Sequence, residues 1–297
     1  EIFEYILDEV YEYSNKAREA REALIKESIK ESSEKLSKKY KNSMNPTTTK
    51  YFPEYQKLIG KQIDELIRNF DFTDQNTDLG YRTQASAVYS SNIEGNSIDL
   101  NSFMNFKLSA SNLNPQKEIQ EIEDLVQAYE FAQSNELNQA NFLHCHKVFS
   151  KLLLPKEKQG KYRKDKVGVF GAHGLVYLAV EPEFVEKEMT EFFASIDELL
   201  QKELSNPLVF YHASLLHLKF AHIHPFADGN GRAARLLEKW FIAQKLSKDF
   251  WKLSSEKYYK EHQNDYYNNI NLGVNYYELN YDKCLPFLLM LPESLSL

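Results

Sequence analysis

The run IHPFADGNGRAAR, Ile223 to Arg235, brings together a histidine, an aspartate, two glycines around an asparagine, and two arginines. No core helix would choose this composition, because Gly-Asn-Gly lowers helix propensity and arginines resist burial. Each part has a chemical use. Gly229-Asn230-Gly231 can turn tightly and aim successive backbone N–H groups inward. A helix from Arg232 to Leu246, apolar through Leu236, Leu237, Trp240 and Phe241, starts at that turn. Its N-terminus offers unpaired N–H groups and a dipole suited to phosphate. Arg232 and Arg235 share one face and can grip several phosphate oxygens. Asp228 beside a polyphosphate is the expected Mg²⁺ ligand. His224, at the end of the preceding helix and before Pro225, is a base that can take the proton of an attacking hydroxyl. A plain capping turn, with solvated arginines and a histidine satisfying a carbonyl, explains each residue singly but not the set. The set implies nucleotide transfer.

The elements that must hold these groups are mostly helical. Apolar periodicity predicts helices over 55–70, 118–133, 137–153, 183–202 and 207–223, the last buried on most sides. An earlier stripe, Ile6, Val10, Tyr13, Ala17, Ala20 and Leu24, draws one face of an N-terminal helix. The stretch NSMNPTTTKYF breaks it, which puts a boundary near Asn45. Strand-like alternation is confined to KVGVFGAHGLVYLAV, residues 166–180, where GAHG is the turn of a hairpin. The expected fold class is therefore mainly α, a helical bundle with one small β-hairpin.

Composition narrows the partners. With 297 residues, 42% hydrophobic and 27% charged, the chain has the make-up of a globular protein. A net charge of −7 speaks against a nucleic-acid partner, which needs a basic stripe. Two cysteines, Cys145 and Cys284, are expected as free thiols, and no apolar run is long enough for a membrane helix. A cytoplasmic protein, with no membrane partner, is the expectation.

HPFADGNGR followed by AAR matches the Fic family signature, His-x-Phe-x-Asp/Glu-Gly-Asn-Gly-Arg-x-x-Arg, so the chain resembles that family. The resemblance implies a Fic-like helical bundle that transfers AMP from ATP, its co-substrate, to a hydroxyl side chain of a target protein. His224 would be the base, Asp228 the Mg²⁺ ligand, and Gly229, Asn230 and Gly231 the phosphate cradle. Arg232 and Arg235 would hold the β- and γ-phosphates, and Phe226 would pack. Upstream, SSNIEGNSID fits the inhibitory motif Ser/Thr-x-x-x-Glu-Gly/Asn with Ser90, Glu94 and Gly95. Glu94 on a helix around 85–95 would pair with Arg235 and misplace ATP. The hairpin resembles the family's flap, which docks the target by strand pairing, although Glu181-Pro182 stands where many members have Pro-Pro. The resemblance covers about Gly80 to Met290, and the implied division is an N-terminal helical region 1–75 and a catalytic domain 76–297.

The same site would serve two other functions: removal of AMP from a modified protein, or nucleotide sensing without catalysis. The motif does not select a base, and a homo-oligomer stays open. His212, His217 and His222 are expected to pack, LHCHK lacks enough ligands for a metal, and the tyrosines of 256–279 are expected in packing or an interface.

Overall fold

In the computed structural model, which describes residues 44–70, 72, 78–109, 116–171 and 174–297, the apolar stripes become helices in sequence order. Helix α1 (Phe52–Tyr55) passes through a π-helical turn (Gln56–Gly60) into α2 (Lys61–Asn69), followed by α3 (Leu79–Ile93) and α4 (Leu100–Leu108). Next come α5 (Lys117–Ser134), α6 (Gln139–Phe149) and the antiparallel hairpin of β1 (Gly168–Gly171) and β2 (Gly174–Leu178). The chain continues with α7 (Pro182–Gln201), α8 (Asn206–Ile223) and α9 (Asn230–Lys245). Short helices α10 (Ser255–Glu261), α11 (Gln263–Ile270) and α12 (Leu285–Glu293) complete it. The N-terminal stripe from Ile6 to Leu24 lies outside the described residues.

Local chemistry sets the starts. The side chains of Asp78, Asp99 and Asn138 accept from the backbone N–H groups of Tyr81, Ser102 and Asn141, capping α3, α4 and α6. Such caps are worth about 1 kcal/mol each. Proline in the first turn starts α7, α8 and α12, where its missing N–H costs nothing. The helix expected to run to 153 stops at Phe149. The N–H groups of Leu153 and Leu154 both fold back onto Ser150 O, because Pro155 disfavours helix in the residue before it.

Helix α8 lies at the centre, and Val209, Phe210, Leu215, Leu216, Leu218 and Phe220 on it are fully buried. It packs on α7, α9 and α12, while Phe52 and Tyr55 meet Tyr211 edge-on with ring centroids 5.3 Å apart. Residues 44–70 thus share the core of the unit Met44–Leu297. Helix α3 is tied to α9 at two levels. Lys239 donates to Ser86 Oγ at 2.7 Å, and Arg235 donates to Ser90 Oγ at 2.9 Å. Both pairs are four residues apart with opposite sense, so the two helices run antiparallel in register. Lys239 also pairs with the buried Glu256 of α10.

In the hairpin Val169 faces Tyr177, and a bulge between Val169 and Phe170 shifts the register. The buried Tyr177 anchors it by donating its hydroxyl to His222 O at 2.6 Å, at the end of α8. Among the described residues, no helix is long and apolar enough to cross a membrane.

Candidate active site

Helix α8 gives way at His224 to a left-handed residue, φ 52° and ψ 58°, the one non-glycine residue with positive φ among those described. Pro225 forbids another helical turn, but the extended conformation usual before proline is not the one adopted. A non-glycine left-handed residue costs about 1–3 kcal/mol, and its surroundings must hold it. Arg163 does so. Its Nε donates to His224 O at 2.7 Å, and its Nη2 donates to Ile223 O at 3.3 Å and to Val180 O at 2.6 Å. Its Nη1 donates to Asp165 O at 3.0 Å, and its backbone N–H to Pro225 O at 2.9 Å. One 4%-exposed guanidinium therefore fixes His224 and both ends of the hairpin in one frame.

The imidazole of His224 has Nδ1 at 3.3 Å from Ala221 O. A carbonyl only accepts, so Nδ1 carries the proton and Nε2 keeps its lone pair. Burial pulls the His224 pKa down to about 4, against the smaller upward pull of the Ala221 carbonyl. The ring is neutral at pH 7 and can accept a proton.

The loop that follows is braced by side chains. Asn230 Oδ1 accepts from Phe226 N at 2.8 Å, and Asn230 Nδ2 donates to Phe226 O at 2.9 Å. Phe226 is fully buried, as its packing role requires, and stacks on His146 with centroids 3.6 Å apart. His146 Nδ1 accepts from Gly160 N at 2.9 Å, so its Nε2 carries the proton and donates to Asp228 O at 3.1 Å. Gly229 has φ 80°, and a Cβ there would meet the Phe149 ring at 2.8 Å. Asp228 is exposed and uses Oδ1 to accept from Gly229 N at 2.6 Å, which leaves Oδ2 for a hard cation.

These buried histidines make the fold acid-sensitive. Burial lowers the pKa of His146 to about 4 and that of His222 to about 3, against the ordinary 6.5. His222 is held between Tyr281 Oη at 2.9 Å and Ile270 O at 2.8 Å. Below the ordinary value the unfolded chain binds protons that the folded one refuses, so stability falls as pH drops through this window. The expected slope is about 1.4 kcal/mol per pH unit per histidine. Urea midpoints measured from about pH 7 to about pH 5 check this, and an unchanged midpoint would contradict it.

Helix α9 begins at Asn230, and its first intrahelical bond is Ala233 N to Gly229 O. The amides of Asn230, Gly231 and Arg232 precede that bond, an arrangement suited to cradling an anion. A cavity of about 330 Å³ opens there, lined by Glu94, Glu121, Asp228, Gly229 and Arg232 among others. Arg232 is 6% exposed, its Nε lacks a hydrogen-bond partner, and its Nη2 lies 3.7 Å from Glu121 Oε2. An orphaned buried guanidinium N–H at an anion cradle fits a phosphate oxygen.

Arg235 is fully buried and makes four hydrogen bonds. Nε donates to Ser90 Oγ at 2.9 Å, and Nη1 to Tyr266 Oη at 3.2 Å. Nη2 donates to Ser90 O at 2.9 Å and to Glu94 Oε1 at 2.7 Å. Glu94 lies one residue past α3, before Gly95 with φ 95°, and its carboxylate leans over the cradle. A Cβ placed on Gly231 would meet Glu94 Oε1 at 2.2 Å. The structure thus places Ser90, Glu94 and Gly95 beside the run from His224 to Arg235. It adds Arg163, His146 and Tyr266. The histidines His212 and His217 hold Pro46 O and Tyr266 Oη, both at 2.9 Å, and stay apart from this loop.

Residues 136–242 match the family model for the Fic/DOC family. That segment is a Fic domain. It contains His146, Arg163 and the run from His224 to Arg235, whereas Ser90 and Glu94 lie outside it. Over 80 residues the chain is 44% identical to the protein adenylyltransferase Fic of Nematostella vectensis. That match takes in 26% of this chain and only 16% of the length of the curated relative. A Fic family protein from Desulfovibrio desulfuricans superposes with a TM-score of 0.67 at 23% identity, over 85% of this chain and 74% of that one. A Fic domain containing signaling protein from Bacteroides thetaiotaomicron gives 0.59 at 20% identity, over 79% and 94%. These likenesses establish the Fic fold beyond the Fic domain itself.

Proposed function

We propose that this chain is a self-inhibited protein adenylyltransferase that moves AMP from ATP to a hydroxyl side chain of a target protein. His224 Nε2 takes the hydroxyl proton as the oxygen attacks the α-phosphorus. The bond from that phosphorus to the bridging oxygen breaks, and pyrophosphate leaves. The cradle and Arg232 hold the β-phosphate, and Arg235 takes the γ-phosphate once Glu94 has left it. Asp228 would hold Mg²⁺, which neutralises charge on the phosphates when bound. Among the described residues no group of three or more His, Cys, Asp or Glu could hold a metal ion, so such a cation would complete its shell with phosphate oxygens and water.

The target would dock as an extended segment along the hairpin, whose Val169, Leu175, Val176 and Leu178 are exposed. Arg163 supports this reading by tying the hairpin to His224. At the hairpin's exit, Glu181 accepts from the Tyr277 hydroxyl, and Leu178 N donates to Val274 O at 2.9 Å.

The observation that carries the proposal is a carboxylate seated on the phosphate grip of an otherwise complete site, with Glu94 Oε1 2.7 Å from a fully buried Arg235. Wild type and Glu94→Gly incubated with α-labelled and γ-labelled ATP test it. The expected result is label retained from the α position only, with self-modification at least about tenfold higher in Glu94→Gly, the worth of one charge-assisted pair. Equal rates at saturating Mg²⁺ and ATP would remove the inhibitory role. Label released from a pre-modified protein, with none gained from ATP, would instead assign AMP removal.

A further inference from the structure

The end of α3, which carries Glu94, is held by three side chains whose hydrogen bonds go to its backbone and not to Glu94 or Arg235. Lys260 Nζ donates to Asn92 O at 3.0 Å. Gln263 Nε2 donates to Ile93 O at 2.9 Å, and Tyr267 Oη donates to the same carbonyl at 2.8 Å. Lys260 also donates to Gln263 Oε1 at 2.8 Å, which turns the amide so that its nitrogen faces Ile93. All three come from α10 and α11, and none lines the nucleotide cavity.

Helix ends leave their last carbonyls without intrahelical partners, and a glycine cap ordinarily suffices. Such a cap is present: Gly95 N donates to Asn92 O at 3.2 Å and Asn96 N to Ser91 O at 3.1 Å. The three side chains add to it. Lys260 places its charge at the negative end of the α3 dipole, and Ile93 O receives two donors one residue before Glu94. The adjacent Tyr266 receives Arg235 Nη1 at 3.2 Å. One stretch, 260–267, therefore grips both sides of the Glu94–Arg235 pair. Its bonds are open to competition from water, since Tyr267 is 45% exposed and Lys260 and Gln263 are half-buried.

Resting on the reading of Glu94 as a brake, we propose that Lys260, Gln263 and Tyr267 are positioning residues that form a latch on the last turn of α3. The latch sets how often Glu94 leaves Arg235, and hence the rate of AMP transfer. If it opens, the last turn of α3 loses its outside anchors, Glu94 swings off the guanidinium, and Arg235 becomes available to the γ-phosphate.

The test uses the full chain with α-labelled ATP, comparing Lys260→Met, Gln263→Leu, Tyr267→Phe and the triple variant with wild type and Glu94→Gly. Each single substitution is expected to raise self-modification roughly two- to tenfold, the worth of one net hydrogen bond. The triple variant should exceed each single. In the Glu94→Gly background the same substitutions should add nothing, a coupling that general loosening of the fold would not produce. Lys260→Arg should keep the wild-type rate. Tyr267→Phe removes one oxygen from a half-exposed ring and keeps the test open should the triple variant fail to fold. Hydrogen exchange at the amides of Asn92 to Asn96 should speed up in it without any need for activity. Wild-type rates in all latch variants, beside an active Glu94→Gly, would overturn the latch alone. Equal gains with and without Glu94 would overturn it too. An inactive Glu94→Gly would instead bring down the brake, and the latch with it.

Discussion

Replacing His224 by alanine in a Glu94→Gly background is expected to leave ATP binding intact and to lower AMP transfer by about 10² to 10⁴, the usual worth of a general base. The separation follows from the geometry. The cradle is made of backbone at the start of α9 and is braced by Asn230 and His146, neither of which depends on the imidazole. Arg163 holds the carbonyls of Ile223 and His224 rather than the ring, so the turn survives truncation of the side chain. Alanine in a left-handed turn is strained, and His224→Asn, which tolerates that conformation, is the control. The burial that brings the His224 pKa to about 4 adds a second signature. Transfer by Glu94→Gly should hold steady as pH falls from about 7 to about 6, where an ordinary imidazole would already be substantially protonated. Transfer above roughly a tenth of the parent rate in both variants would require another base.

How much of this could be seen in the sequence depended on distance along the chain. The residues from His224 to Arg235 were legible because the turn, the helix start and the charged groups are contiguous. The long helices α5 and α7 were legible because each buries one apolar face, and α8 and α9 because their apolar residues recur at helical spacing even though they are buried on most sides. The supports of the site were not. Arg163 acts by donating to four backbone carbonyls, three of them far away in sequence, and backbone acceptors leave no mark on composition. His146 sits in LHCHK, where its neighbours suggest a metal, yet it serves as a hydrogen-bonded prop for Asp228 O and a stacking surface for Phe226. The tyrosine- and asparagine-rich run 256–279 has little apolar periodicity. Its order comes from polar contacts: Tyr259 bonds Glu238, Tyr266 bonds Arg235, and Lys260 and Gln263 meet the end of α3. The π-helical turn at Gln56–Gly60 was also hidden, because Tyr55, Ile59 and Ile63 keep a four-residue spacing whether or not the turn widens.

Arg235→Ala, again with Glu94→Gly, is expected to weaken ATP by about 10- to 100-fold while changing ADP affinity little. One charge-assisted hydrogen bond to the γ-phosphate, in the place of the one to Glu94 and worth about 1.5–3 kcal/mol, sets that scale. What the guanidinium touches sets this selectivity. Three of its four contacts, Ser90 Oγ, Ser90 O and Tyr266 Oη, are fixed neutral acceptors that aim the fork, and only the fourth, Glu94 Oε1, is an anion. Removing Glu94 leaves one anionic position, above Gly231, where the carboxylate had stood. A phosphate oxygen is the natural occupant, and the terminal phosphate is the one ADP lacks. Arg235→Lys sharpens the test, since it keeps the charge and loses the fork; ATP should weaken there as well, though less than with alanine. Calorimetry gives both affinities, with circular dichroism to show that a fold relieved of a fully buried arginine is intact. Equal losses for ATP and ADP would mean that Arg235 does not contact the γ-phosphate. Glu94 would then have nothing to displace, and the competition on which self-inhibition depends would have no physical basis.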